Sequence, residues 1–390
     1  MKDIDFFNLA DCYSDEEKLL IDSVASYLNE KIKPLIKSHW HLERPLPFKE
    51  LAKEFGKLGL IGTFLPEEFG CSGGTYKMFG IICQEVERID SALRSFIAVS
   101  NGLVMYPIYA FGSVEQKKRY LSALAKGEMI GCFGLTEPGS GSDPSSMRTT
   151  AKRQGSYWVL NGSKTWITEA DIADFAIIWA RDLEDKKIKA FVVERETEGF
   201  TMSELIEKGS MRAGGVGQIG MVNCKIDENK CLPQAVGLKS ALSCLDNARY
   251  GIAWGAIGAA KDCFNTALEY AKEREQFGKP IAAFQLTQKK LVDMLTEIVK
   301  AELLVLRLAD LMDNNKAKPE QISLAKKNNV RAARFCARVA REILGANGIS
   351  LDYSPIRHMA NIETIYTYEG TDDIHSLVLG RAITGFNAFK

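Results

Sequence analysis

Apolar residues recur every three to four positions through the first third of the chain. Ser14 and Glu17 carry the reciprocal signature of a helix start, and Leu20, Val24, Tyr27 and Leu28 continue one face until Pro34. Further helices are expected over 48–58 and 76–88, with another from Gln116 that Gly127 ends. From about residue 131 the period shortens to two. Residues 157–160 and 163–167 read as two strands around an Asn161-Gly162 hairpin turn, and 173–180 and 188–193 as buried strands split by a charged turn. A last strand is expected over 221–226. Beyond about 236 the helical period returns and lengthens, with Leu291, Met294, Leu295, Ile298 and Leu306 on one face over 285–312. Gly251, Gly255 and Ala259, one turn apart, would let a neighbouring helix approach closely. The pattern predicts an α+β chain: a helical domain over 1–130, a β domain over 131–235 and a helical bundle over 236–390.

Composition narrows the class. Of 390 residues, 46% are apolar and 26% charged, with Lys+Arg and Asp+Glu at 50 each, so the net charge is zero. A chain built to coat nucleic acid is thereby excluded as a global design. The Arg331, Arg334, Arg338 and Arg341 stripe reads as a solvated or subunit-facing surface with local ion pairs. Nine cysteines form no CxxC and cannot all pair, which favours buried free thiols in a reducing compartment. No apolar run is long enough to span a bilayer, and neither terminus carries a signal, transit or address pattern, so a bacterial cytoplasm is the expected location.

Metal chemistry is not expected: the four histidines, 39, 41, 358 and 375, lack ligand spacing except for His39 and His41 in a polar stretch. Gly215-Val-Gly217-Gln-Ile-Gly220 fits GxGxxG literally but lacks a strand before it and a helix after it, and reads as a glycine-rich loop. Two segments carry candidate chemistry. Phe133–Asp143 is rich in small residues and hydroxyls, which suits either a turn-rich connection or a loop donating hydrogen bonds to a planar cofactor. Near the other end, Glu369 sits beside Tyr368 and before Gly370. It is either a loop acid facing solvent or a base with a raised pKa.

Five motifs together resemble the acyl-CoA dehydrogenase family: Phe133-Gly-Leu-Thr-Glu-Pro, Lys164-Thr-Trp-Ile-Thr168, Arg274-Glu-Gln-Phe-Gly278, Leu344-Gly-Ala-Asn-Gly348 and Tyr368-Glu-Gly-Thr371. Glu87 with Arg94-Ser95, the run from Cys244 to Trp254, and Asp373-Ile-His375 are similar to the glutaryl-CoA branch. The resemblance implies a helical domain, a central β-barrel domain and a four-helix bundle, assembled as a homotetramer with FAD between the last two. Phe133, Leu135, Thr136, Gly141, Ser142, Trp166, Ile167 and Thr168 would line the flavin and pyrophosphate. Arg274, Phe277, Gln285, Leu344, Gly345 and Gly348 would reach FAD from a neighbouring subunit, and Thr371 and Asp373 would touch its adenine half. Glu369 would take the α proton of an acyl-CoA thioester as hydride leaves Cβ for the flavin, with its own backbone N–H on the thioester oxygen. Glu87, Arg94, Ser95, Ser142, Leu245, Asn247, Arg249 and Gly370 would hold substrate, Arg94 meeting the terminal carboxylate of glutaryl-CoA. Electrons would pass to an electron-transfer flavoprotein. A short or branched acyl group, with Arg94 simply paired to Glu87, and a branch that stops before decarboxylation are the alternatives. The chain departs from the subfamily at Gly214, Val216 and Asp372, and in the segment Phe96–Gly102.

Overall fold

The computed structural model describes residues 4–389. The first helices are α1 (Asp15–Tyr27) and α2 (Lys33–His41), continuous through a π-helical turn at Leu28–Ile32. The capping box at Ser14 forms as expected. Pro34 does not end the helix, because the wide turn before it, closed by Lys33 N–H to Leu28 C=O, leaves its ring room at the start of α2. After α3 (Phe48–Lys57) and α4 (Tyr76–Ile89) comes a helix that the periodicity did not reveal. It consists of α5 (Ser91–Ala98), a π-helical stretch Val99–Met105 and α6 (Tyr106–Phe111). It is buried on nearly every side, so no amphipathic stripe marks it. α7 (Val114–Ala125) closes the helical part.

Eight strands follow: β1 (Gly131–Gly134), β2 (Thr150–Gln154), β3 (Tyr157–Thr168), β4 (Phe175–Asp182), β5 (Ile188–Glu194), β6 (Phe200–Glu204), β7 (Val216–Asp227) and β8 (Cys231–Val236). They form one sheet in the order β6-β7-β3-β2-β4-β5-β8, with β1 parallel to β4. Two sequence expectations fail here. Asn161-Gly162 is not a hairpin turn but a register shift inside the single strand β3, where Asn161 Oδ1 accepts from Asn223 N–H at 2.7 Å. The reversal falls at Gly155, whose φ of +62° suits it to the tight β2–β3 connection. The GxGxxG segment is not a loop either: from Val216 on it is the start of β7, with Gly217 and Gly220 lying against β3 and β6, where a Cβ on Gly217 would overlap the Ser203 carbonyl.

The last part holds α8 (Leu238–Glu273), a small hairpin of β9 (Glu275–Gln276) and β10 (Lys279–Pro280), then α9 (Gln285–Asp313), α10 (Pro319–Ile343), α11 (Pro355–Thr367) and α12 (Asp372–Thr384). α8 packs along both α4 and α10. Close approach needs its glycines: a Cβ on Gly251 would stand 3.1 Å from Cys83 Sγ, and one on Gly258 would enter the Gln84 carbonyl. The arginine stripe of α10 makes local pairs, Arg331 with Asp372, Arg334 with Glu363 and Arg338 with Glu342. All nine cysteines are free, six of them buried. Among the described residues no helix is long and apolar enough to cross a membrane.

Candidate active site

A cavity of about 1420 Å³ opens where the α4–α6 segment, the sheet and the N-terminal end of α8 meet. Its floor is the turn between α11 and α12. Glu369 stands there in the left-handed region (φ 55°), followed by Gly370 at φ 93°, and Thr371 Oγ1 caps α12 by accepting from Ile374 N–H. The Glu369 side chain lines the cavity, and its Oε2 is buried without a hydrogen-bond partner. Burial pushes this carboxyl above the ordinary carboxylate range, while the Arg94, Lys326 and Arg249 cations hold the rise in check.

The opposite wall comes from β1, the loop after it and the end of β3. Phe133, Leu135, Thr136, Gly141, Ser142, Trp166, Ile167 and Thr168 all line the cavity. A buried ion pair sets the loop. Lys164 Nζ donates to Leu135 C=O (3.0 Å) and Glu137 Oε1 (2.8 Å), and the same carboxylate accepts from the backbone N–H groups of Arg148 and Thr149. Burial brings the Lys164 ammonium down to about 8 against the pull of Glu137. The β3–β7 register slips between Thr165 and Ile167, so Trp166 bulges out at φ 60°. Its indole is left 64% exposed in the cavity wall.

Such a face suits a planar ring system, and a Cβ on Gly141 would meet nothing within 4 Å, so the loop backbone is open to a ligand. Hydroxyls of Thr136, Ser142 and Thr168 share that wall. The residues present therefore fit an isoalloxazine.

Elsewhere in the cavity, Ala92, Ser95, Val99 and Leu103 join the wall, with Leu245, Asn247, Arg249 and Gly370 lining it too. Glu87 and Arg94 lie behind it, both fully buried. Arg94 Nε donates to Glu87 Oε2 at 2.7 Å, and Nη2 donates to the Tyr368 hydroxyl, whose ring is itself part of the wall. Arg94 Nη1 and Glu87 Oε1 are buried without partners. The expected carboxylate-binding arginine is thus one layer back, screened by Tyr368, because Glu87 on α4 draws it toward that helix.

The remaining sites fall elsewhere. Asp373 is exposed in the first turn of α12 and is no part of the wall. Arg274 stands beyond the far end of α8, about 37 Å from Arg249 at 1.5 Å per residue. Gln285 begins α9, about 40 Å from the wall residue Met312, and Leu344 follows α10, about 30 Å from Ser323. Phe277, 94% exposed, and the Gly345–Ile349 turn share that end. None of these six residues lines the chain's own cavity.

Two residues escaped the sequence, Lys326 behind the Glu369 turn and Glu169 in the wall. Lys326 was legible in principle, as a lysine on the α10 face of Ile322, Asn329, Val330 and Ala333 that the fold buries. Glu169, 2% exposed with neither oxygen bonded, left no sequence signal.

Sequence comparison decides the family. The acyl-CoA dehydrogenase N-terminal, middle and C-terminal domain models match residues 14–128, 132–224 and 235–384. The chain belongs to the acyl-CoA dehydrogenase family. It is 37% identical over 331 residues to the human mitochondrial short-chain specific acyl-CoA dehydrogenase, covering 84% of this chain and 80% of that one. It is 34% identical over 381 residues to glutaryl-CoA dehydrogenase of Desulfococcus multivorans, 96% of each chain. A glutaryl-CoA dehydrogenase from Mycobacterium smegmatis in complex with FADH2 superposes at a TM-score of 0.97, with 44% identity and 99% of each chain covered. The chain is therefore an FAD-dependent enzyme of acyl-CoA dehydrogenation.

Proposed function

We propose that the chain oxidises glutaryl-CoA between Cα and Cβ, with Glu369 as the base. The observation that carries this reading is the unpartnered Glu369 Oε2 in the cavity wall, with Arg94 behind it holding its whole Nη1 group unpartnered. FAD, when bound, supplies the two-electron acceptor. Glu369 takes the α proton, and its desolvation places it nearer working pH than a surface glutamate. The Glu369 N–H donates to nothing else in the described chain, which leaves it free for the thioester oxygen as enolate charge develops. A terminal carboxylate would meet Arg94 Nη1 once Tyr368 turns aside. Loss of carbon dioxide from the oxidised product would put the C–C pair into a dienolate, and the proton held by Glu369 could close it to crotonyl-CoA. Arg274, Phe277, Gln285, Leu344, Gly345 and Gly348 at the far end of the bundle fit a neighbouring copy's cofactor, in a homotetramer that passes electrons to an electron-transfer flavoprotein.

A second reading has an observation of its own. Arg94 is already neutralised by Glu87, the arrangement a short acyl chain without a carboxylate would need. Anaerobic titration of the yellow protein separates the two. Flavin bleaching with glutaryl-CoA and a crotonyl-CoA product by mass supports the first reading. A glutaconyl-CoA product removes the decarboxylation step, and bleaching with butyryl-CoA alone overturns the glutaryl reading.

A further inference from the structure

Behind the Glu369 turn lies a cation that the proposed reaction does not use. Lys326 of α10 is 1% exposed, and its Nζ touches no carboxylate. It donates instead to the carbonyls of Tyr368 (3.0 Å) and Gly370 (2.8 Å), the two residues that flank Glu369. Between them, the Glu369 carbonyl accepts from Arg249 Nε of α8 at 2.8 Å, and Arg249 is steadied by Asp246 at 2.9 Å. Three consecutive carbonyls are therefore held by two cations from two different helices. A buried ammonium solvated by carbonyls alone is expensive, and burial brings Lys326 down to about 7, opposed chiefly by Glu369 and reinforced by Arg249 and Arg94.

The turn needs such holding. A glutamate in the left-handed region is strained by its own Cβ, and nothing in its own side chain offsets that strain. The back of the turn is closed by His375 of α12, both of whose ring nitrogens are buried without partners. A Cβ on Gly370 would stand 3.1 Å from its Nε2. Burial, with Lys326 and Arg249, pushes this imidazole down to about 3, so it stays neutral. The charged groups facing Lys326 are thus Glu369 and Asp372, Arg94 of α5, Arg249 of α8 and, on its own helix, Lys327 beside Asp372.

We propose that Lys326 is a positioning residue for the base: together with Arg249 it clamps the carbonyls of residues 368–370 and so holds the left-handed turn that presents the Glu369 carboxylate to the cavity. The inference rests on the reading of Glu369 as the base. It also assigns the lysine an electrostatic part, since its charge favours the ionised carboxylate.

The test uses full-length holoprotein carrying Lys326→Met, Lys326→Gln or Glu369→Gln. Flavin bleaching by glutaryl-CoA and by butyryl-CoA is followed between about pH 5 and 9, with deuterium uptake over residues 366–372 as a second readout. Lys326→Met should slow bleaching about tenfold or more with little change in the substrate concentration for half-saturation. It should also move the acid limb of the rate profile to higher pH and speed exchange at the turn. A merely structural lysine would lower holoprotein yield without moving that limb. Lys326→Gln keeps one donor and no charge, so it should recover part of the slow exchange while keeping the shifted limb; it carries the comparison if Lys326→Met does not accumulate. Bleaching within twofold of the parent at every pH, with unchanged exchange, would overturn the proposal. If Glu369→Gln itself bleaches normally, the base assignment fails instead.

Discussion

Replacing Arg94 with Met tests the acyl end of the cavity on two scales at once. Arg94 and Glu87 are both fully buried, 2.7 Å apart, and each keeps one unpartnered polar atom. Removing the cation strands Glu87 without water, which costs about 3–5 kcal/mol in buried pairs of this kind. Converting Glu87 to Leu in the same chain removes the stranded charge, so the double variant should recover most of that loss. Denaturant titration of the four holoproteins reads the cycle, with a coupling of about 2 kcal/mol or more as the expected result. The substrate scale is separate. A charge-assisted hydrogen bond to a terminal carboxylate contributes about 1.5–3 kcal/mol, so Arg94→Met should lose about 10- to 150-fold in kcat/KM for glutaryl-CoA relative to butyryl-CoA. If the single variant loses less than about 1 kcal/mol and the substrate ratio stays constant, both the burial argument and the carboxylate argument are wrong.

Gly255→Ala would set a methyl 3.0 Å from Arg94 Cγ and overlap Glu87 Oε2, so stability should fall by about 1–3 kcal/mol and the same substrate ratio should shrink. Asp372 is held down to about 2; burial opposes this, but Arg331 and Lys327 outweigh it. Its folded pKa is depressed, so its contribution is present above about pH 4 and fades as pH falls toward 2; Asp372→Asn should lose about 1 kcal/mol at neutral pH, with a flatter acid limb in thermal melts. Glu169 has the opposite sign. Burial and the nearby Asp171 raise its pKa, so stability is fullest below the ordinary glutamate range and declines as pH rises through the folded value. Glu169→Gln should melt higher than the parent at alkaline pH and equally at acid pH. Lys164→Met frees the loop ordered through Leu135 and Glu137, and equilibrium dialysis should show weaker FAD retention with the bundle helices intact by circular dichroism.

The elements were largely legible because most helices here have one wet face. The capping box at Ser14 and the stripe of α9 are local signals, and the fold keeps them. Where both faces are buried, as in α5 and the π-helical stretch Val99–Met105, the stripe vanishes and the helix went unread. Asn161-Gly162 misled for a related reason: the dipeptide permits a turn, but pairing of β3 with β7 on both sides of it stabilises the straight continuation with a bulge. The loop over 133–143 and Glu369 were singled out through motif, and residues of both line one cavity. Arg94 was found too, but its depth behind Tyr368 depends on Glu87 of α4 and on the missing Cβ of Gly255, contacts that no spacing rule encodes.

Backbone strain locates the site more sharply than composition does. Among the described residues, six of the eleven non-glycine residues with positive φ, Trp166, Glu169, Glu207, Met211, Asn315 and Glu369, line the cavity of about 1420 Å³. A left-handed Trp or Glu is disfavoured by its own Cβ, so each persists only because surrounding contacts impose it. For Trp166 the imposing contact is the β3–β7 register slip, and for Glu369 it is the pair of cations on its neighbours' and its own carbonyls. Phe277 is left-handed as well, yet it stands 94% exposed at the opposite end of the bundle. Its own chain offers this strained aromatic only an edge contact with Phe284, ring centroids 6.2 Å apart. The same end holds Arg274, Gln285 and the Gly345–Ile349 turn, so the strain there makes sense if a second copy of the chain covers it.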